Sequence, residues 1–194
     1  VASNISLTAM GGGQPGLQEI PLGYRLFNLT NSVTVTNTTS ATSLITNSIW
    51  GTNWIPANLL TPGSTIRIKA GGYITSASAT PTVFGFRAGN GLMLATNILA
   101  LPTALVSDFF SMECTISVRS VGGSGVATAY GLVGYNTTSG GANSFGIRRL
   151  QNGPSAWNTI TIDTTSPILL DMFVTPGATT HGFTIMSCSA EFIP

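Results

Sequence analysis

Short runs in which apolar and polar residues alternate are the feature that most constrains the fold of this chain. Between Thr65 and Ala70, for example, Ile66 and Ile68 alternate with basic side chains. Alternation with a period of two is typical of a β-strand that buries one face and exposes the other. The two glycines that follow, Gly71-Gly72, predict a bulge, a bend or a close approach of another backbone within that strand.

The same alternation recurs along most of the chain, and turn-forming Gly, Pro, Asn and Ser residues separate the runs. Further strands are predicted at residues 32–36, 42–46, 82–88, 92–96, 109–121, 126–135, 144–150, 157–164, 168–175 and 183–193. About ten short strands at this spacing favour a sandwich, a jelly roll or a barrel. Only residues 98–106 have the pattern of a helical turn, and Pro102 limits its length. The fold class is therefore all-β, without alternating strand–helix units.

The chain is expected to divide into an extended arm, residues 1–23, and a single β-sandwich domain, residues 24–194. A length of 194 residues suits one domain. Residues 11–16 read Gly-Gly-Gly-Gln-Pro-Gly, a flexible segment without a core period. Two interpretations of the arm stay open: it threads to a neighbouring subunit, or it is a mobile terminus.

Charge is scarce in this sequence, and its scarcity limits the classes of partner. Only 7% of residues are charged, and the net charge is +1. Electrostatic repulsion between copies of such a chain is weak, which favours a subunit of a larger assembly. The basic residues are scattered, with only Arg148 and Arg149 adjacent, so no nucleic-acid partner is expected. No apolar run reaches the roughly 18 residues of a membrane span, so no membrane partner is expected either.

Candidate catalytic residues are few. The lone histidine, His181, would need a nucleophile such as Ser187 and an acid such as Asp171, and no Gly-x-Ser-x-Gly elbow is present. A loop histidine before a strand is the simpler interpretation. The acids are isolated in the sequence: Glu19, Asp108, Glu113, Asp163, Asp171 and Glu191. We therefore expect no enzyme, with no catalytic residues, no metal site and no cofactor.

The two cysteines, Cys114 and Cys188, both fall in alternating runs. On its run Cys114 shares the apolar face with Met112 and Ile116, as a buried free thiol does. A disulfide between neighbouring strands is the alternative, which the sequence leaves open, although free thiols are favoured.

Isolated charges and aromatic residues are candidates for contacts with other molecules. The basic side chains Arg67, Lys69 and Arg119 would suit pairs between subunits. The aromatic candidates are Trp50, Trp54, Trp157, Tyr130 and Tyr135. They are expected to be anchors of the core or of an interface, and the alternative is that they stack on sugars. Binding loops, if present, are expected at residues 134–144 and 89–91.

Three blocks of the sequence carry a resemblance to known proteins. They are Val-Thr-Val-Thr-Asn-Thr-Thr-Ser-Ala-Thr-Ser-Leu at 33–44, Ile-Pro-Ala-Asn-Leu-Leu-Thr-Pro-Gly-Ser-Thr-Ile-Arg-Ile at 55–68 and Cys-Thr-Ile-Ser-Val-Arg-Ser-Val-Gly at 114–122. Their order resembles a loose group of β-rich structural proteins of tailed bacteriophages and some large viruses, including minor structural, head-decoration and tail-fibre proteins. The resemblance covers roughly residues 30–190, and its motifs define no catalytic residue.

This resemblance implies a virion component with a jelly-roll-like antiparallel β-sandwich, often trimeric. The leading hypothesis is a capsid decoration or cement subunit that assembles through sandwich contacts and the N-terminal arm. Its expected partners are copies of itself, as a homotrimer, and the major capsid or other virion proteins. The alternative is a receptor- or glycan-binding head of a phage fibre or tail. A hydrolase is the third hypothesis, and it would need acids or a Ser–His pair brought together by the fold.

Overall fold

The structure is a computed structural model, and it describes residues 24–45, 49–88, 92–137, 144–150 and 158–194. Every regular element in these ranges is a β-strand. The strands are β1 (Tyr24–Leu29), β2 (Val33–Val35), β3 (Thr42–Ser43), β4 (Ile49–Gly51), β5 (Trp54–Ile55), β6 (Thr65–Ser76), β7 (Pro81–Ala88), β8 (Leu92–Ala100), β9 (Leu105–Ser120), β10 (Gly125–Asn136), β11 (Phe145–Leu150), β12 (Asn158–Ile162), β13 (Ile168–Thr175) and β14 (Gly182–Ile193).

The strands form two antiparallel sheets that bury a common core. The larger sheet has the order β11-β10-β9-β6-β14-β1-β4, with β12 added to β10 and β2 added to β14. The smaller sheet has the order β3-β13-β7-β8, and β5 also pairs with β13. The predicted all-β class and antiparallel sandwich are confirmed.

The pairing of the strands is nested, as in a jelly roll. The first long strand pairs with the last, β1 with β14, and going inward along the chain β3 pairs with β13, β6 with β9 and β7 with β8. Successive pairs alternate between the two sheets, so one long antiparallel ribbon is wound around the core. Strands β10, β11 and β12 are inserted between β9 and β13 and widen the larger sheet. This topology confirms the jelly-roll-like prediction.

The alternation read from the sequence sets the two faces of the larger sheet. Ile66 and Ile68 on β6 are fully buried in the core, whereas Arg67 and Lys69 lie on the outer face. At the centre of the core, the ring of Phe84 from the smaller sheet meets rings from the larger sheet, Phe110 at 6.5 Å and Phe183 at 5.6 Å between centroids. These edge-to-face and tilted contacts join the two layers.

The glycine pair in β6 marks both a bulge and a close approach. Strand β6 continues through Gly71 and Gly72, and the register of β14 shifts opposite them, between Ile185 and Ser187. A Cβ atom at Gly72 would lie 1.9 Å from the carbonyl oxygen of Thr184. A side chain therefore has no room at Gly72, and the prediction made for these glycines is confirmed.

Other sequence predictions need correction or lie outside the described residues. The helical turn predicted at residues 98–106 is wrong, because β8 continues to Ala100 in register with β7 and β9 begins at Leu105. Ladder pairing thus extends the strands on both sides of the turn that contains Pro102. The arm of residues 1–23, the loop 89–91 and Trp157 are outside the described residues, and the domain boundaries stay a prediction.

Both cysteines are buried free thiols, as the sequence favours. Strand β6 separates them: Cys114 of β9 is opposite Ile68, and Cys188 of β14 is opposite Ala70. Two strand spacings of about 4.8 Å exceed the roughly 7 Å that a disulfide allows between Cα atoms. Burial raises the pKa of Cys188 to about 12 and shifts the pKa of Cys114 upward as well.

We expect neither thiol to react with iodoacetamide in the folded protein at mildly alkaline pH. The thiolate is the reactive form, and burial disfavours it at both positions. Mass spectrometry of the alkylated protein measures this directly, with guanidinium-unfolded protein as the control in which both cysteines react. Rapid alkylation of Cys114 or Cys188 in the folded protein would contradict the buried placement.

The two neighbouring glycines give a matched pair of variants. Gly72→Ala should lower the free energy of unfolding by about 3 kcal/mol or more, because its methyl group would overlap the Thr184 carbonyl. A Cβ at Gly71 meets its nearest atoms at 3.5 Å, an ordinary contact, so Gly71→Ala should fold normally. Urea denaturation compares the two, and equal stability of both variants would show that the close approach is absent.

Candidate functional site

The fold does not assemble the triad considered from the sequence. His181 precedes β14 and is buried, and its ring contacts Thr82 and Ser78. Ser187 lies on the outer face of the larger sheet, beside Gly71. The carboxylate of Asp171 bonds other partners, described below. The prediction of a loop histidine before a strand is confirmed.

The contact between His181 and Ser78 cannot activate the serine, because the ring nitrogen near the hydroxyl acts as a donor. Its Nε2 lies 3.1 Å from the carbonyl oxygen of Ser78, which can only accept, so Nε2 carries the proton. Its Nδ1 then accepts from the hydroxyl of Thr82 at 3.1 Å, and Thr82 Oγ1 accepts from the amide of Gly177. A nitrogen that already donates cannot remove a proton from the Ser78 hydroxyl. Through these contacts the ring ties two turns together.

Asp171 is buried and belongs to an ion pair in the smaller sheet, in which the Arg87 side chain is 28% exposed. It is opposite Arg87 on β7, and its Oδ2 lies 2.6 Å from both Nε and Nη2 of Arg87. Ser43 on β3 donates to the other carboxylate oxygen, also at 2.6 Å. The guanidinium group of Arg87 stands 5.0 Å from the ring centre of Phe173. These bonds join three strands, which is a structural role.

Of the basic side chains predicted to pair between subunits, Lys69 lies beside an acidic side chain of its own chain. Lys69 and Glu113 are cross-strand neighbours, with 4.0 Å between Nζ and Oε2, and both side chains are about half exposed. Arg67 lies in the next row of the same face, opposite Thr115. Pairing of these residues or of Arg119 with another subunit stays a prediction.

The aromatic candidates separate into two groups. Tyr135 is a core residue and Tyr130 is half-buried. Trp50 and Trp54, in contrast, are 66% and 49% exposed. They occupy β4 and β5, where the chain crosses from the larger sheet to the smaller one. An anchoring role in the core is therefore wrong for these two tryptophans.

A groove lies on the outer face of the larger sheet. Its floor is a row of small residues from four adjacent strands: Ser187 of β14, Gly71 of β6, Ser111 of β9 and Gly134 of β10. The hydroxyl oxygen of Ser187 lies 3.5 Å from a Cβ built at Gly71, and that of Ser111 lies 3.1 Å from one at Gly134. Both hydroxyls therefore stand on the floor. The groove encloses about 560 Å³.

The two sides of the groove differ in chemistry. One side is lined by Phe109, which is 54% exposed; Tyr73, its partner on β6, lies beyond the lining and is 44% exposed. The ring of Phe145 lies 5.9 Å from that of Phe109 and rests on Gly134, where a Cβ would come within 2.4 Å of it. The other side carries the Lys69–Glu113 pair.

Sequence reasoning missed this groove. Its residues come from separate runs, and their alignment depends on the register between strands, which the sequence leaves undetermined. One signal was available: Phe109 and Tyr73 sit at polar-face positions of alternating runs, where an aromatic side chain is unexpected.

No three or more His, Cys, Asp or Glu side chains in the described ranges lie together as ligands for a metal ion. No helix with the length and hydropathy of a membrane span occurs in the same ranges.

Comparison with known proteins finds a weak structural likeness, described below. No protein-family model matches the chain, and no curated protein matches it. Among solved structures, the chain is similar to the CBM2 module of Lactobacillus casei BL23 phage J-1 evolved Dit. The TM-score is 0.33 at 10% sequence identity, over 87% of this chain and 95% of that chain. A likeness of this size carries no argument about function.

The ion pair of Arg87 with Asp171 leads to a prediction about stability. Arg87→Met should lower the free energy of unfolding by about 3 kcal/mol, because it leaves the Asp171 carboxylate buried with only Ser43 as a partner. The double variant Arg87→Met with Asp171→Leu should recover most of that loss, since no uncompensated charge remains. Chemical denaturation of both variants tests this, and a double variant less stable than the single one would contradict it.

Proposed function

We propose that the protein is a non-enzymatic structural component of a virus particle, a capsid decoration or cement subunit that acts by binding its neighbours. The sequence resemblance to β-rich phage structural proteins supports this assignment, and a jelly roll is a fold used by capsid proteins among others. The proposed location is the virion. The proposed partners are other copies of the chain, as a homotrimer, and the major capsid or other virion proteins.

The observation that carries this proposal is the pair of exposed tryptophans at one edge of the sandwich. Trp50 projects from the outer face of the larger sheet, in the same row as Asn28 of β1. Trp54 pairs with Leu169 on β13 of the smaller sheet. Tryptophan is enriched at the centres of protein interfaces and rarely left in water, because its large apolar surface is worth burying. Two such residues on one crossing segment favour a contact surface.

The backbone around these tryptophans suits the same role. Among the described residues, β4 pairs only with β1, so one edge of β4 presents ladder groups without a strand partner. Gly51 holds the crossing in place: its φ is +99°, and a Cβ there would lie 2.3 Å from the carbonyl oxygen of Leu26. Both tryptophans are thus presented on a constrained segment, which lowers the entropy lost on binding.

Rough magnitudes are compatible with a stable oligomer. A standard interface buries about 1,600 Å², and each Å² of apolar surface contributes about 25 cal/mol before association costs. In a closed trimer every copy contributes the same two patches, so exposed edges are hidden without open-ended growth. Few charges stand in the way, because only 7% of the residues are charged.

A second candidate function, a receptor- or glycan-binding head of a phage fibre or tail, is favoured by a different observation. The groove on the outer face of the larger sheet combines exposed aromatic rings with hydroxyl groups. This surface adjoins the crossing segment, because Asn28 lines the groove and is the cross-strand neighbour of Trp50.

We expect the double variant Trp50→Ser with Trp54→Ser to dissociate the oligomer while the fold is kept. Both side chains are already exposed, so the unfolding free energy should change by only about 0.5 kcal/mol. The oligomer should weaken at least about a hundredfold, as for interface hot spots. Sedimentation equilibrium at micromolar concentration measures this.

The matched control is Val106→Ser, which removes a 77% exposed apolar side chain near the start of β9. It should leave the oligomer unchanged. A wild-type protein that is monomeric at micromolar concentration would overturn the assembly proposal, as would a trimer insensitive to the loss of both tryptophans.

A further inference from the structure

We propose that the groove on the outer face of the larger sheet binds a neutral, linear glycan chain laid across the strands. This inference goes beyond assembly and gives a ligand class to the second candidate function. It uses residues of the sheet face; of the loops singled out from the sequence it shares Gly134, which lies in β10.

The shape of the groove suits an extended chain of rings. The open part of the floor, from Ser187 through Gly71 to Ser111, spans two spacings of about 4.8 Å, or roughly 10 Å, and the ring of Phe145 covers Gly134 beyond it. The volume of about 560 Å³ falls within the range of about 300–1,000 Å³ that small-ligand sites occupy. Gly71 and the two serines keep this part of the floor low, so a segment of about two sugar rings fits between the two sides.

The apolar side supplies stacking surfaces. Sugar rings have an apolar C–H face, and aromatic rings bind such faces with large contact area and little loss of side-chain freedom. Phe109, which lines this side, is 54% exposed, and its ring is the stacking surface that the groove offers. Phe145 packs beside Phe109 and over Gly134, so its ring is held in place at one end of the floor.

The polar groups match a ligand that is rich in hydroxyls. The Ser111 and Ser187 hydroxyls each donate and accept, as sugar hydroxyls do. Across the floor from the rings, Lys69 offers donors and Glu113 offers acceptors, 4.0 Å apart. Because the two charges are adjacent and opposite, their fields largely cancel over the groove, which favours a neutral ligand over an anionic one.

Other occupants fit this surface less well. An extended peptide usually binds a sheet by pairing its backbone with an open edge. The floor strands β6 and β9 are paired on both sides, so their backbone groups are already used. A nucleic acid requires a basic track along its phosphates, and this groove has one lysine beside one glutamate. A glycan needs only side-chain contacts, and these the groove provides.

Isothermal titration calorimetry of the full chain tests the proposal. The probes are cello-, malto-, manno- and xylohexaose, with a heparin-derived hexasaccharide as the anionic comparison. We expect at least one neutral hexasaccharide to bind the wild-type protein and the anionic one to bind at least tenfold more weakly. Phe109→Ala should lower the affinity for the neutral probe at least tenfold. The control variant Ile98→Ala, which truncates a different exposed apolar residue (65% exposed), should leave the affinity unchanged.

A second variant blocks the groove without removing a ring. Gly71→Val fills the floor; a Cβ at Gly71 lies 3.5 Å from its nearest neighbours, an ordinary contact, and the melting temperature compared with that of the wild type shows whether the variant is folded. Binding of the neutral hexasaccharide should then be lost, while the oligomer measured by sedimentation is unchanged.

Three results would overturn the inference. The first is a wild-type protein that binds none of the neutral probes, and the second is a folded Gly71→Val variant that binds as well as the wild type. The third is loss of the oligomer in Phe109→Ala, which would assign the groove to contact between copies. Failure of the assembly proposal appears elsewhere, in the sedimentation of the Trp50 and Trp54 variants, so the two failures are distinguishable.

Discussion

The antiparallel pairing of β6 with β9 on one edge and with β14 on the other is the interaction on which the rest of the structure depends. These three strands form the centre of the larger sheet, and their register decides which side chains enter the core. A slip of one residue would turn Ile66 and Ile68 toward solvent and bury Arg67 and Lys69. The cost of burying two unpaired charges makes the observed register the stable one. The close approach of Gly72 to Thr184 holds the same register from the backbone side.

The candidate groove is a consequence of this register. Ser187, Gly71, Ser111 and Gly134 come from four strands, and only the ladder pairs place them in one row. The bulge in β14 contributes, because it returns Ser187 to the outer face after the core-facing Ile185. Small residues in line leave a depression, and the larger ring of Phe109 in the next row lines its apolar side. The proposed glycan site thus lies on the face of a sheet, where strand pairing makes the backbone rigid.

Predictions from the sequence succeeded where a local pattern has one physical meaning. Period-two alternation located the main strands, and the glycine pair marked a real close approach, because a β-strand has only two faces and glycine alone tolerates such contact. They failed where tertiary pairing overrode local signals. The turn around Pro102 looked helical, yet β8 and β9 extend toward it because their neighbours supply ladder bonds. Trp50 and Trp54 were expected to be anchors, and as core anchors they were wrong, since a crossing segment carries both to the surface.

By itself, the sequence determined the class of the fold, the position of most strands, the inward and outward sides of β6 and the reduced state favoured for both cysteines. These properties follow from short-range chemistry, in which a residue and its immediate neighbours decide the outcome. Only the tertiary structure decided the nested strand order, the ion pair of Arg87 with Asp171, the contacts of His181 and the groove. Each of these joins residues far apart in the chain, and their meeting depends on register and sheet packing, which no local pattern encodes.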